Sequence, residues 1–450
     1  MIKVAHLSDT HIGYEAYKTV SASGENQRAV DFAKAFISAV DAIILADPEL
    51  VIHSGDVADR TQIPIRLMLL IRQQFTRLAS LRPDGSRRQL VVVAGNHEIP
   101  RNRKEACFLE LFKGLPGVHI VSKDYTVLDF TNPSLTGGSS PTLNNVLVHA
   151  LPHEALKSTD FSIVTPRADK INILSSHGVA GGSELYVRSL GREFAIPTDV
   201  LARGWDYGAL GHWHKQGPVN IVSTGGKRKT KSSLKEVSLA HVERDEEGFT
   251  PGIDYLDPNQ DAQVGRLWYA GSTENSGFGD LRDNGTKRGW LLVQVQKGAL
   301  PIVERKWVNI RAMFRLPAIS CAGKSPDEIT DLMLTQLKEA NPAGAVVGQI
   351  INDVTPQIWS LVDLPKVRKS ATLALNYEVQ VRYQGSSTST PTHQTAFSDL
   401  DSTLEARVKE LFEPDEQIGA LTTAKNILTQ MLERKSNTST LTDTLTGEKS

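Results

Sequence analysis

Leu90–Glu98 reads LVVVAGNHE. An apolar, largely β-branched run leads into a glycine and then into three side chains that can bind a metal or move a proton. β-branching favours strands, and a run this short without polar alternation describes a strand buried on both faces. The glycine lets the chain turn sharply where that strand ends. The same pattern recurs toward the N-terminus, in IKVAHLSDTH at Ile2–His11 and LVIHSGDVAD at Leu50–Asp59. Between these strands, Gln27–Leu45 carries Val30, Ala33, Phe36, Ile37, Val40 and Ile44 at helical spacing. Pro64–Leu81 is a second predicted helix, with proline at its start. Toward the C-terminus, strands are predicted at Val146–Leu151, Ile171–Ser176, Tyr207–Leu210, Leu267–Ala270 and Trp290–Gln296. Strand–helix–strand alternation specifies a layered α/β fold, whose chemistry sits on loops at the carboxyl ends of the strands.

The 450 residues allow about three domains at roughly 150 residues each. Lys+Arg 50 against Asp+Glu 51 gives a net charge of −1, so any nucleic-acid binding must come from local patches. Cys107 and Cys321 are too few for a disulfide framework and lack zinc spacing. Leu67–Ile71 and Leu90–Ala94 fall far short of the ~20 apolar residues of a membrane span. No leader-like segment precedes Ile2. The expectation is a cytoplasmic, multi-domain protein with no membrane attachment.

The alternation breaks at Gly225, where GGKRKTKSSLK is followed by the acidic ERDEE. We read 225–263 as a charged insert within a main domain spanning 1–310. A smaller α/β domain is expected over 311–385, around a helix at Pro326–Ala340 that opens with a Ser325–x–x–Glu328 capping box. A Ser/Thr-rich linker at 386–396 follows. Helical patterns at Ser398–Phe412 and Gln417–Leu432 suggest a partner-binding segment over 397–435, before a polar, disordered tail at 436–450.

Five small motifs fall in order at predicted strand ends: Asp9-Thr-His11, Gly55-Asp56-Val-Ala-Asp59, Gly95-Asn96-His97-Glu98, Ser176-His177-Gly178 and Gly211-His212-Trp213-His214. In an extended segment residues i and i+2 point the same way, so Asp9 with His11, and His212 with His214, can converge. Histidine, aspartate and an asparagine carbonyl suit manganese, iron or zinc better than calcium. Each motif alone is weak, since D-x-H is common by chance and GD-x-x-D often only caps a helix. All five, in order, exceed what one metal needs and would serve two sharing a carboxylate. His6 and His53 have the wrong parity for the same face as Asp9 and Asp56, and are read as structural. His119, His149, His153, His241 and His393 have no partner spacing.

In these motifs the chain resembles the calcineurin-like metallophosphoesterase superfamily. Within it the chain is similar to the SbcD type, the nuclease subunit of SbcCD and of the related meiotic-recombination nuclease complexes. Phe194–His214, Trp268–Asp280 (WYAGSTENSGFGD) and Lys287-Arg-Gly289 carry that closer resemblance. It implies a β-sandwich metallophosphoesterase core flanked by helices, a capping domain and C-terminal helices. It implies two metal sites, usually manganese: Asp9, His11, Asp56 and His214 around one ion, and Asp56, Asn96, His177 and His212 around the other. His97 would be the catalytic histidine that binds no metal, and Asp59 is placed to orient it. The chain departs from the type in carrying Glu98 where Asp is usual, and in its long 225–263 insert.

The resemblance further implies a DNA exonuclease on duplex ends, with single-strand endonuclease activity as a second expectation. It also implies an SbcC-type SMC-like ATPase partner, homodimerisation and a role in double-strand-break repair. A phosphatase or small-molecule phosphodiesterase on the same fold is the alternative, because GDVADR with GNHE also resembles the protein Ser/Thr phosphatases. Arg101, Arg103 and Lys104 after GNHE, Arg82, Arg87 and Arg88 before its strand, and Lys227, Arg228, Lys229 and Lys231 in the insert are candidate phosphate-backbone contacts.

Overall fold

The computed structural model describes residues 1–100, 106–131, 141–181, 194–219, 249–250, 265–281 and 287–384. In chain order the main elements are β1 (Ile2–Leu7), α1 (Gln27–Ala46), β2 (Leu50–His53), α2 (Ile65–Leu78), β3 (Gln89–Val93), β4 (Val118–Val121), β5 (Thr126–Asp129), β6 (Val146–Leu151) and β7 (Ile171–His177). They are followed by β8 (Tyr207–Gly211), β9 (Gly217–Pro218), β10 (Leu267–Tyr269), β11 (Gly289–Val295) and β12 (Ile302–Trp307). One six-stranded sheet runs β12-β11-β1-β2-β3-β4 and the other runs β9-β10-β8-β7-β6-β5.

Strand alternation divides the apolar residues between two layers. Ile2 and Val4 of β1, Leu50 and Ile52 of β2, and Val91 and Val93 of β3 meet Val146, Val148, Ile171, Ile173, Tyr207 and Ala209 of the second sheet in one buried cluster. The opposite parity, Ala5, Leu7, Val51, Leu90 and Val92, packs under α1 and α2 through Phe36, Val40, Ile43, Ile71 and Phe75. The architecture is therefore an α/β sandwich with helices on its flank. Strands β1, β2, β3 and β4 pair in parallel, as do β6, β7, β8 and β10. Their carboxyl ends lie on one rim, where open α/β sheets place ligands.

Most predicted elements lie within a residue or two of those observed. The predicted helix at Pro64–Leu81 ends instead at Leu78. Arg82 precedes Pro83, which disfavours helical backbone there, and the chain reverses through Gly85 N–H to Arg82 O (3.0 Å) and Arg82 N–H to Ser86 O (2.8 Å). Strands β4 and β12 are too short or too polar in pattern to be read from the sequence.

After β12, a sheet of β13 (Met313–Arg315), β14 (Ile319–Ser320), β15 (Val346–Val354) and β16 (Asn376–Tyr383) is covered by α3 (Pro326–Ala340). Ser325 and Glu328 form the reciprocal capping box at its start. Ile329, Met333 and Leu337 of α3 pack on Val347, Ile351 and Val354, giving this part its own apolar core. Met1–Val381 nevertheless makes one compact unit. Apart from the short strand at Phe249–Thr250, the 225–263 insert lies outside the described residues. So do the linker, the expected helices at 398–412 and 417–432, and the tail.

Candidate metal centre

Asp9 and His11 follow β1, Asp56 follows β2, Asn96 and His97 follow β3, His177 ends β7, and His212 and His214 follow β8. The loops are stitched together across the strands. Asp9 N–H donates to Gly55 O (2.9 Å), His11 N–H to Asp56 O (3.0 Å), and His212 N–H to the Asp9 carboxylate (3.1 Å to Oδ1). Asp9, His11, Asp56 and His212 all have left-handed backbone, at φ of 51°, 42°, 53° and 100°. Non-glycine residues rarely adopt such values, and they cluster at functional sites where the surroundings over-determine them. Asp9 and His11 thus meet through tightly turned loop backbone rather than through the extended i, i+2 geometry expected from the sequence. Gly95 is required by contact, since a Cβ there would overlap the Asp56 carboxylate and amide nitrogen.

The side chains form two adjoining groups. In the first, Asp9, His11 and His214 bring one ligand-type atom each to within 4.8 Å of one another. His11 Nε2 lies 3.1 Å from His214 Nε2 and 3.8 Å from Asp56 Oδ2. In the second, His177 Nε2 lies 2.9 Å from Asn96 Oδ1 and 3.2 Å from Asp56 Oδ2, and His212 Nδ1 lies 3.1 Å from the same Asn96 oxygen. Asp56 adjoins both groups through His11 and His177, and ligand-type atoms of Asp9, Asp56 and His177 also lie within 4.8 Å of one another.

The chemistry of this donor set fits divalent cations. His177 Nδ1–H donates to Ser54 O (2.7 Å), which turns the Nε2 lone pair toward two oxygens that are themselves acceptors. Without a cation only a proton reconciles them. Burial opposes that proton, but Asp56 outweighs burial and the His177 pKa rises to about 9, while Asp56 is held well below the usual carboxylate range. The paired Nε2 atoms of His11 and His214 have the same problem. A cation accepts all these lone pairs at once. His212, pushed down to about 3 by burial and by the neighbouring His177, presents the neutral imidazole that ligation needs.

His97 differs in exposure. Its side chain is 38 % exposed, against 4 % or less for His11, Asp56 and His177. Its backbone N–H donates to Asp56 Oδ1 (3.0 Å) and its Nδ1 lies 2.6 Å from Asp59 O. Burial opposes its protonation, but Asp56 and the Asp59 carbonyl raise its pKa. The bond that orients His97 therefore comes from the Asp59 backbone. The Asp59 carboxylate lies nearer His11, at 3.6 Å from Nδ1, than His97, at 4.0 Å.

Three residues of the site went unassigned in the sequence. Glu98, buried, accepts from Asp56 N–H (3.0 Å), Ala58 N–H (2.9 Å) and Gly95 N–H (2.8 Å), clamping the turn that presents Asp56. His153, which spacing marked as ordinary, stacks against His212 at 6.3 Å between centroids and lies 3.1 Å from His177 O through Nδ1. Asp280 lies 3.3 Å from His214 Nδ1. No spacing rule links residues 66 positions apart, and for Glu98 only its place directly after His97 was a signal.

The arginines before β3 are engaged within the protein, contrary to the expectation of phosphate contacts. Arg88 is buried, donating to Asp47 Oδ1 (2.8 Å) and Pro48 O (3.0 Å); Arg82 pairs with Asp47 and Asp84; Arg87 donates to Ala79 O (2.9 Å). They brace the amino end of β3, opposite the site, and do not form a phosphate grip. Arg101, Arg103, Lys104 and the cluster at Lys227, Arg228, Lys229 and Lys231 lie outside the described residues.

The convergence of loops falls in a stretch that is similar to a known family: residues 2–216, just under half of the chain, match the calcineurin-like phosphoesterase family. Among its homologues, the DNA double-strand break repair protein Mre11 of Methanocaldococcus jannaschii is 30% identical over 108 residues, 24% of this chain and 26% of that protein. Mre11 of Sulfolobus acidocaldarius is 23% identical over 269 residues, covering 57% of this chain and 64% of the relative. The SbcD component of the nuclease SbcCD of Bacillus subtilis is 26% identical over 248 residues, covering 50% and 59%. The matched stretches thus span between about a quarter and just under two thirds of these relatives' lengths. Among the described residues no helix is long and apolar enough to cross a membrane.

Proposed function

We propose that this chain is a two-metal phosphodiesterase that cuts DNA, acting in double-strand-break repair. The observation that carries the reading is the gathering of seven ligand-type side chains, Asp56 among them, from five strand ends, in a domain whose homologues are named as repair proteins and nucleases. Asp9, His11, Asp56 and His214 would hold one cation and Asp56, Asn96, His177 and His212 the other, with manganese suited to this nitrogen and oxygen set. When bound, the two cations supply Lewis-acid activation of the phosphate and charge compensation at its oxygens.

The remaining work falls to the chain's own residues. Asp9 and Asp56 provide the negative charge that keeps the cations in place. Glu98 and Gly95 fix the turn that aims Asp56. His97, its Nδ1 held by the Asp59 carbonyl and its side chain partly exposed, keeps Nε2 as the nitrogen that would donate to the leaving oxygen of the scissile phosphodiester. An SbcC-type SMC-like ATPase partner and a homodimer complete the reading; both rest on the family resemblance.

The test incubates the protein with Mn²⁺ and end-labelled duplex DNA, beside a phosphomonoester, with Asp56→Ala as control. Cleavage of DNA that is lost in the variant, with little monoester hydrolysis, supports the reading. Brisk monoester hydrolysis with intact DNA replaces it with the phosphatase alternative.

A further inference from the structure

We infer that Asp280 is the positioning residue for His214, fixing the tautomer and direction with which that histidine meets its cation; the inference rests on the two-metal reading of the site. Asp280 lies 66 positions beyond His214 and approaches it from the far side of the ring. Its Oδ1 is 3.3 Å and its Oδ2 3.4 Å from His214 Nδ1, while His214 Nε2 faces His11 Nε2 at 3.1 Å. A carboxylate on Nδ1 draws the proton there and leaves the Nε2 lone pair for the metal, a device that sets ring orientation and raises ligand basicity.

The carboxylate is itself held. Oδ2 accepts from Ser276 N–H and from Ser276 Oγ–H, both at 2.8 Å, and the Asp280 carbonyl accepts from Arg288 Nη2 at 2.9 Å. Arg288 Nε donates to Asn275 Oδ1 (2.7 Å), and the Asn275 carbonyl accepts from Arg28 Nη2 (2.5 Å). Arg28 pairs with Asp31 (2.7 Å) and Glu274 (3.3 Å), and Arg311 adds Nη2 to Asp31 Oδ1 (2.6 Å) and its N–H to Glu274 Oε2 (2.9 Å). Buried charges persist only when paired and hydrogen-bonded. This network lies outside the ligand set, and it reaches the centre through the Asp280 carboxylate on His214. The segment from Ser272 to Asp280 is thereby tied to Arg28 of α1 and to Arg311 of the short strand Ile310–Arg311, and it delivers one carboxylate to one ligand.

The test is a Mn²⁺ titration of the metal-free full chain, with free ion followed by its electron paramagnetic resonance signal, for wild type, Asp280→Ala and Asp280→Asn. Wild type binds two ions. Asp280→Ala weakens one of them by about 10–100-fold and leaves the other unchanged. Asp280→Asn, which keeps an acceptor oxygen but removes the charge, falls between the two, with the metal-free melting temperature of wild type. Two unchanged sites in both variants overturn the inference. So does equal weakening of both sites together with a lowered metal-free melting temperature, which makes Asp280 only a brace of its own loop. A wild-type protein that takes up no ion overturns the two-metal reading, and the role of Asp280 with it.

Discussion

Two groups of histidines lie side by side near the rim of the sandwich, both with fully buried members and opposite in meaning. His6 and His53 sit inside the strands, each with a partner from the protein. His6 Nδ1 meets Tyr207 Oη at 2.8 Å and Nε2 meets Ser54 Oγ at 3.2 Å, and His53 Nε2 meets Thr10 Oγ1 at 3.0 Å. His11, His177, His212 and His214 turn nitrogens toward one another and toward carboxylates that are already acceptors. Burial is common to both groups, so burial does not make the site. What separates them is what the nitrogens face: protein hydroxyls for both nitrogens of His6 and for His53 Nε2, against other imidazoles and carboxylates in the second group.

The sharpest way to break that contrast is to remove its hub. Asp56→Ala takes away the carboxylate shared by both halves of the site, and we expect both ions and all DNA cleavage to be lost, measured as metal content after dialysis and as cleavage of labelled duplex. His97→Ala comes next. It should keep both ions while cleavage falls by about 10²–10⁴-fold, the usual contribution of a positioned proton donor; normal cleavage would remove the role given to His97.

His6→Ala probes the other group. It takes away the His6 ring that Tyr207 Oη meets in the interior, while Ser54 Oγ keeps Ala209 O and Ser175 Oγ, so unfolding free energy should drop by about 1–3 kcal/mol in a urea titration, with metal content unchanged. Loss of metal in this variant would blur the distinction between the two groups.

The same pair of histidines also makes stability depend on pH. Burial, and then a neighbouring histidine, push His6 and His53 from 6.5 down to about 3. In the unfolded chain they take up protons near 6.5, whereas the folded protein refuses them until about 3. Their contribution is therefore complete above 6.5 and is lost as pH falls from there toward 3. Urea midpoints of the metal-free protein should decline over that window, and less steeply in His6→Ala.

Much of this was legible in the sequence because apolar parity is a local signal. The runs at Ile2–Leu7, Leu50–His53 and Leu90–Ala94 declare buried strands, and the polar motifs that follow mark the ends that gather at the rim. His6 and His53 could be set apart from His11 by parity alone. Asp280 was not legible, since only the folded chain brings it to His214. Nor was the fate of Arg82, Arg87 and Arg88: a basic run looks the same whether it grips a phosphate or, as here, Asp47 and the carbonyls at the amino end of a strand. Asp59 shows a subtler limit, because sequence names side chains while the group that holds His97 is a backbone carbonyl.

The most direct test of the central claim is anomalous diffraction from crystals of the protein soaked in Mn²⁺. The account predicts two peaks flanking Asp56, one among Asp9, His11 and His214 and one among Asn96, His177 and His212. A single peak among His11, Asp59 and His97, another group of ligand-type atoms at this rim, would contradict it, as would no peak at all.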